Sequence, residues 1–306
     1  MNISIIKRKL KTAIRYANGL RTFSNDKLIA KWINRDEIKL NWGDALNPIL
    51  INKLSGKKVI HFEDVVNIFY KPVYSVIGSH LGQIYNENTI IWGTGFGCEN
   101  HSFQLKSSRN IKAVRGPLSA KKIRQQGFEC PDVFGDPALL YPLFYFPDYR
   151  PKYKLGVIAH ISDLDSAWYR ALKEDEDILK INIKSGIKNV VDQINKCERI
   201  ASSALHGIIA ADSYGIPTIR LKISENPLIG DGFKYLDYYE SVKRSDYSPM
   251  LVSEYTTSHD IIEQLEKHYQ KPELNIYALI KSCPFIEERI GKKLNLNRVF
   301  NNCEAL

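Results

Sequence analysis

The stretch "SSALHGIIAADSYGIPTI", from Ser202 to Ile219, sets two hydroxyls and one imidazole between the apolar run "ERIASS" and an apolar, small-residue helix pattern. The spacing predicts a strand ending at Ser203 and a helix over 204–215, closed by Gly215, Ile216 and Pro217. At the C-terminal edge of a parallel sheet, the unpaired N–H groups of a first helical turn attract anions. Ser203 and His206 would then stand in an anion site, where an imidazole titrating near neutrality serves as acid or charge partner. The same residues also suit a pair of capping hydroxyls and a histidine satisfied in the core.

"IKAVRGPLSAKK" repeats the arrangement: a strand ends at Arg115, Gly116 turns, and Pro117 suits the first helical position. Arg115 is expected to project toward a cleft, where its planar fork matches phosphate or carboxylate. In "LNWGDALNPIL", Gly43 permits a tight turn and Asp44 is placed to cap a helix starting near Ala45, or to act as general base toward a hydroxyl. "WGTGFG" is not the GxGxxG dinucleotide pattern, and Trp92 within it could stack on a sugar or fill a core. His160 ends the strand "KLGVIAH" beside Asp163 and Asp165.

These junctions need a scaffold of parallel strands. "KLIAKWI", "KVIHF", "PVYSVIG", "NTIIWG" and "IKAVRG" alternate with helical patterns in the first half, and "KLGVIAH", "DILKINI", "ERIASS" and "PTIRLKI" do so in the second. Between them, Pro131, Pro137, Pro142, Pro147 and Pro151 break regular structure and suit a domain crossing. The expected organisation is a basic helix over 1–26, an acceptor-side α/β domain over 27–150, and a donor-side α/β domain over 151–306. The tail patterns "SHDIIEQLEKHYQ" and "ELNIYALIKSCPFIEERIGKKL" predict terminal helices that cross back over both halves.

The 306 residues carry 43 Lys and Arg against 34 Asp and Glu, a net charge of +9 that favours anionic partners. The basic residues scatter without interleaved aromatics, which argues against nucleic acid. No apolar run reaches membrane-spanning length, and the start lacks the apolar core of a signal peptide. The 5 cysteines are widely spaced, without a CxxC pair, and the 7 histidines form no metal-ligand spacing. A cytoplasmic protein without a metal or other cofactor is expected. Lys7, Arg8, Lys9, Lys11, Arg15 and Arg21 share the first 21 residues with Ile6, Leu10, Ala13 and Ile14 on one helical face. That pattern fits either a helix docked on its own domain or peripheral attachment to an anionic inner membrane face.

Taken in order, "NWGDALNPIL", "VRGPLSAKKI", "GDPALLYP", "SSALHGIIAADSYGIPTI" and "FKYLDYYESV" resemble the polysaccharide pyruvyl transferase family, from about residue 27 to about 242. The resemblance implies two Rossmann-like domains facing a cleft in a GT-B-like arrangement. It also implies transfer of the enolpyruvyl group of phosphoenolpyruvate, with release of phosphate, to a sugar of a bacterial-type exopolysaccharide or capsule repeat unit, whether lipid-linked, free or already polymerised, as a ketal commonly bridging O4 and O6. Arg115, His206 and the Leu205 backbone would hold the donor, Asp44 would take the acceptor proton, and Lys234 and Arg220 would add anion contacts. Ser79-His80-Leu81 departs from the family pattern, where a longer apolar residue is usual after Gly-Ser; His80 would tune the acceptor pocket or pack. A glycosyltransferase using a nucleotide sugar in the same cleft is the competing expectation.

Overall fold

The computed structural model describes residues 3–24, 26–33, 41–84, 86–223 and 232–287. Helix α1 (Ile3–Arg21) precedes strand β1 (Lys27–Lys31), α2 (Trp42–Ser55), β2 (Lys58–His61), β3 (Val73–Ser75), β4 (Thr89–Trp92), β5 (Ile111–Ala113) and α3 (Pro117–Gln125). The second series runs β6 (Leu155–Ile158), α4 (Ala167–Ala171), β7 (Ile178–Lys180), α5 (Ile187–Ile194), β8 (Ile200–Ser202), α6 (Leu205–Ser213), β9 (Thr218–Lys222), α7 (Phe233–Ser241), β10 (Met250–Leu251), α8 (Ser258–His268) and α9 (Ile276–Lys281).

The strands form two five-stranded sheets, ordered β2-β1-β3-β4-β5 and β10-β9-β8-β6-β7. Every pairing is parallel. Counted within each half, both orders are the doubly wound 2-1-3-4-5, so the chain contains two Rossmann-like units. In this order the winding reverses between the first and third strands, and a crevice opens there beyond their C-terminal ends. The crevices lie between β1 and β3 in one unit and between β6 and β8 in the other.

The two halves share a core. Leu46, Leu50 and Trp92 belong to the same buried cluster as Val190, Ile208 and Tyr238. The Trp42 indole on α2 donates to the Ile187 carbonyl at 3.2 Å. The proline-rich stretch forms a 3₁₀ turn over Pro137–Leu143, because repeated prolines cannot donate to an α-helical ladder. Late elements return to the first unit: α7 packs on α3, and α9 packs on the 3₁₀ turn. Helix α9 stops at Lys281, shorter than its apolar pattern predicts, with Pro284 just beyond. The remainder of that pattern, from 288 on, lies outside the described residues. Among the described residues, no helix is long and apolar enough to cross a membrane.

Candidate active site

A cavity of about 160 Å³ lies where the two crevices meet. Its walls come from the chain just beyond β1 (Ile33), β3 (Gly78, Ser79), β6 (His160, Ile161) and β8 (Ala204, Leu205, His206), the strands that flank the winding reversals. Ile183 just beyond β7, Asn41 capping α2, Asp44 on α2 and Lys234 on α7 complete it. Six of the residues expected to carry chemistry or binding are therefore in or against one cavity: Asp44, His160, Leu205, His206, Lys234 and, through its neighbours, Gly43.

His206 occupies the second position of α6, whose start at Ala204 has no side-chain cap. Its ring lies flat against Gly43, where any Cβ would collide with the imidazole. Glycine is thus required by the approach of α2 to α6, not by a tight turn. Across the ring, the Asp136 carboxylate comes within 3.9 Å of His206 Nε2, too long for a hydrogen bond. Asp136 Oδ1 accepts from the Ala138 amide at 2.9 Å, capping the 3₁₀ turn. Its Oδ2 is buried with no partner. Burial, and then the nearby Arg115 charge, push the His206 pKa down to about 3. Burial pushes Asp136 up to about 7, opposed by the Ala138 hydrogen bond and by Arg115. Near neutral pH the imidazole is therefore uncharged, and Asp136 retains a proton much of the time.

Asp44 does not cap α2. The helix begins at Trp42, and Asn41 is the cap, its side-chain oxygen accepting from the Asp44 amide at 3.2 Å. Asn41 Nδ2 in turn donates to the Asp44 carboxylate at 2.5 Å. Burial raises Asp44 to about 6, within the range of a usable general base.

Other expected residues take different places. Arg115 is only 1% exposed and does not line the cavity. Its guanidinium donates to Asp237 Oδ2 from Nε at 3.1 Å, to Ser79 Oγ at 2.5 Å and to the Phe96 carbonyl at 2.7 Å. The expectation of a fork projecting into the cleft is corrected: Asp237 on α7 claims it, and Ser79 connects it to the cavity wall. Trp92 is fully buried, donating to the Leu279 carbonyl at 3.0 Å and edged by Phe285. It cannot stack on a sugar, because the returning C-terminal segment covers it. Ser203 ties β8 to β6: its hydroxyl donates to Asp163 at 2.6 Å and accepts from the His160 amide at 2.9 Å. Arg220 stacks on Tyr235 at 3.9 Å, and the Tyr235 hydroxyl donates to the Ser203 carbonyl at 2.6 Å, so Arg220 lies a layer behind the cavity. His80 is buried and packs, its Nε2 2.8 Å from Ser75 Oγ.

Sequence reasoning passed over Asp136 and Asp237. Asp-Pro in "GDPALLYP" signals only a turn cap, and Asp237 sits inside a helix with nothing local to mark it.

A family model described as polysaccharide pyruvyl transferase matches residues 41–225. The chain is 28% identical over 222 residues to an uncharacterized protein, L143, of Acanthamoeba polyphaga mimivirus, covering 68% of this chain and 74% of that protein. It is 25% identical over 156 residues to the succinoglycan biosynthesis protein ExoV of Rhizobium meliloti (strain 1021), covering 50% of this chain and 47% of that protein. No solved structure matches the chain.

Proposed function

The chain belongs to the polysaccharide pyruvyl transferase family, and on that premise we propose that it transfers the enolpyruvyl group of phosphoenolpyruvate to a sugar of a polysaccharide or its lipid-linked precursor. The product is a pyruvate ketal, bridging two hydroxyls such as O4 and O6, and phosphate is released. The two Rossmann-like units would work as a GT-B-like pair, with donor and acceptor meeting between them. One observation carries the reading: an uncapped helix start, His206, Lys234 and a near-neutral carboxylate converge on a single cavity.

The donor is a trianion, and the amides at the start of α6 with the Lys234 ammonium are suited to receive it. Bound anion raises the His206 pKa from its depressed value, because negative charge favours imidazolium. His206 then delivers a proton to C3 of the enol, with Asp136 behind it as orienting group and proton reserve. C2 becomes oxocarbenium-like, and one sugar hydroxyl attacks it while Asp44 accepts the hydroxyl proton. Departure of phosphate regenerates an electrophilic C2, and the second hydroxyl closes the ketal, its proton leaving with the phosphate. Arg115 acts as a positioning residue, fixing Ser79 and the local positive potential from behind the wall.

Thermal unfolding at matched ionic strength with phosphoenolpyruvate, and separately with nucleotide sugars, tests the assignment. A ligand at about 100 times its dissociation constant stabilises by about 2.7 kcal/mol. Stabilisation by phosphoenolpyruvate that disappears in His206→Ala, together with acceptor-dependent phosphate release, is the expected result. Stabilisation by nucleotide sugars alone would move the function to glycosyl transfer.

A further inference from the structure

Helix α1 carries Lys7, Arg8, Lys9, Lys11, Arg15 and Arg21 and has no acidic residue. Ile6, Leu10 and Ile14 recur at the spacing of one helical stripe. A helix of a globular protein ordinarily turns such a stripe inward. Here the body is contacted by the adjoining flank at the C-terminal end: the Val66 amide donates to the Arg15 carbonyl at 3.0 Å, and Asn18 donates to the Asp64 carbonyl at 2.8 Å. Gly19 lies so close to the Val66 carbonyl that no Cβ would fit between them. The apolar residues stay outside that contact, with Ile6 43%, Leu10 60%, Ile14 52% and Leu20 61% exposed. Just past the helix, Phe23 is 75% exposed and meets the Phe69 ring at 5.4 Å, beside the exposed Tyr70.

We propose that α1 is an interfacial helix that seats the protein on an anionic lipid surface. Its 19 residues form a rod of roughly 28 Å, which lies along a bilayer surface with the stripe and the Phe23 ring among the headgroups and the lysines and arginines on anionic phosphates. A second copy of the same helix is a poor occupant, because it would set six basic residues against six with no acid between them. The placement also has a consequence for the site, which rests on the proposed function. The stripe borders an open groove alongside α1, where Leu10 and Ile14, flanked by Lys7, Lys11 and Arg15, stand across from Trp32 and Pro48 while staying more than half exposed. Ile33, the next residue after Trp32, and Asp44, one turn before Pro48, line the active cavity. Docking α1 therefore brings that cavity close to the lipid surface, where a lipid-carried sugar would be presented.

Co-sedimentation of the full chain with phosphatidylcholine vesicles, with and without phosphatidylglycerol, tests the proposal. Binding is expected only with the anionic lipid. Lys7→Gln with Lys9→Gln should weaken it roughly 25-fold, from about fivefold per basic residue. Ile6→Gln with Leu10→Gln should weaken it by about tenfold or more, because two apolar side chains no longer enter the interface. All substituted side chains are exposed, and unchanged thermal unfolding verifies the fold of each variant. No binding to anionic vesicles overturns the proposal. So does binding indifferent to Ile6 and Leu10, which means electrostatic adsorption without insertion, or capture by polyglutamate in place of vesicles, which points to an acidic protein partner. Vesicle binding requires no turnover, so failure of the transferase reading leaves this result intact.

Discussion

The junction between β5 and α3 and the junction between β8 and α6 are built alike, and they end in opposite states. Both run from a short parallel strand into a helix whose N-cap residue, Gly116 or Ala204, supplies no side-chain cap. At α3 the vacancy is filled from the other half of the chain. Asp237 on α7 accepts from the Ser119 amide at 2.8 Å and the Ser119 hydroxyl at 2.7 Å while pairing with Arg115. Glycine at 95 and 116 leaves room for this intrusion, since a Cβ at either would strike the Arg115 guanidinium or the Asp237 backbone. At α6, among the described residues, no carboxylate accepts from the first-turn amides, and the helix start opens into the cavity. An internal anion makes the first junction a clamp between the halves; its lack leaves the second available to a ligand anion.

The largest expected effect breaks the clamp. Asp237→Ala strands a buried guanidinium and uncaps α3, and should lower unfolding free energy by about 3–5 kcal/mol in urea titrations. At the open junction, His206→Ala should cut turnover by about 10²–10⁴-fold with little change in melting temperature, measured as phosphate release. A loss of stability as large as that of the Asp237 variant would mean that His206 is a core residue and would end the contrast.

The third prediction concerns pH. Asp136 has its folded pKa raised from 3.8 to about 7, so the folded state binds more protons than the unfolded between those values. Its contribution to stability is therefore lost as pH rises from about 4 to about 7. His206, held down to about 3, acts in the opposite direction below its ordinary value of 6.5. Asp136→Asn retains the turn cap but removes the titration. Relative to wild type it should gain roughly 2–3 kcal/mol between about pH 5 and about pH 7 by chemical denaturation. The smallest effect sharpens the comparison most directly. Ala204→Asp supplies α6 with the carboxylate that α3 receives from Asp237; it should stabilise the protein by about 1 kcal/mol and weaken phosphoenolpyruvate binding about tenfold or more in calorimetric titration.

Local pattern made much of this legible. Apolar runs of strand length alternating with helices placed β1 to β9 and α2, α3, α5 and α6, because period and turn residues are short-range properties. His206 was legible for the same reason, as a titratable side chain at a strand-to-helix junction. Asp44 was legible as a residue in the first turn of α2; of the two roles its spacing offered, cap or general base, the cap fell to Asn41, three residues earlier.

By itself, the sequence determined two series of parallel strands, a break between them, the basic stripe of α1 and the positions of the helix starts. Each follows from residue type and spacing within a few turns of chain. Tertiary structure decided which helix start is open, and it did so through residues far apart in sequence. Asp237, 122 residues from Arg115, closes one; Gly43 on α2 and Asp136 beyond β5 shape the other around His206. It also decided that Trp92 belongs to the core and that the stripe of α1 stays exposed along an open groove instead of packing into the core. Burial, and the pairing of one charge with another, depend on what the rest of the chain brings alongside, which no local spacing encodes.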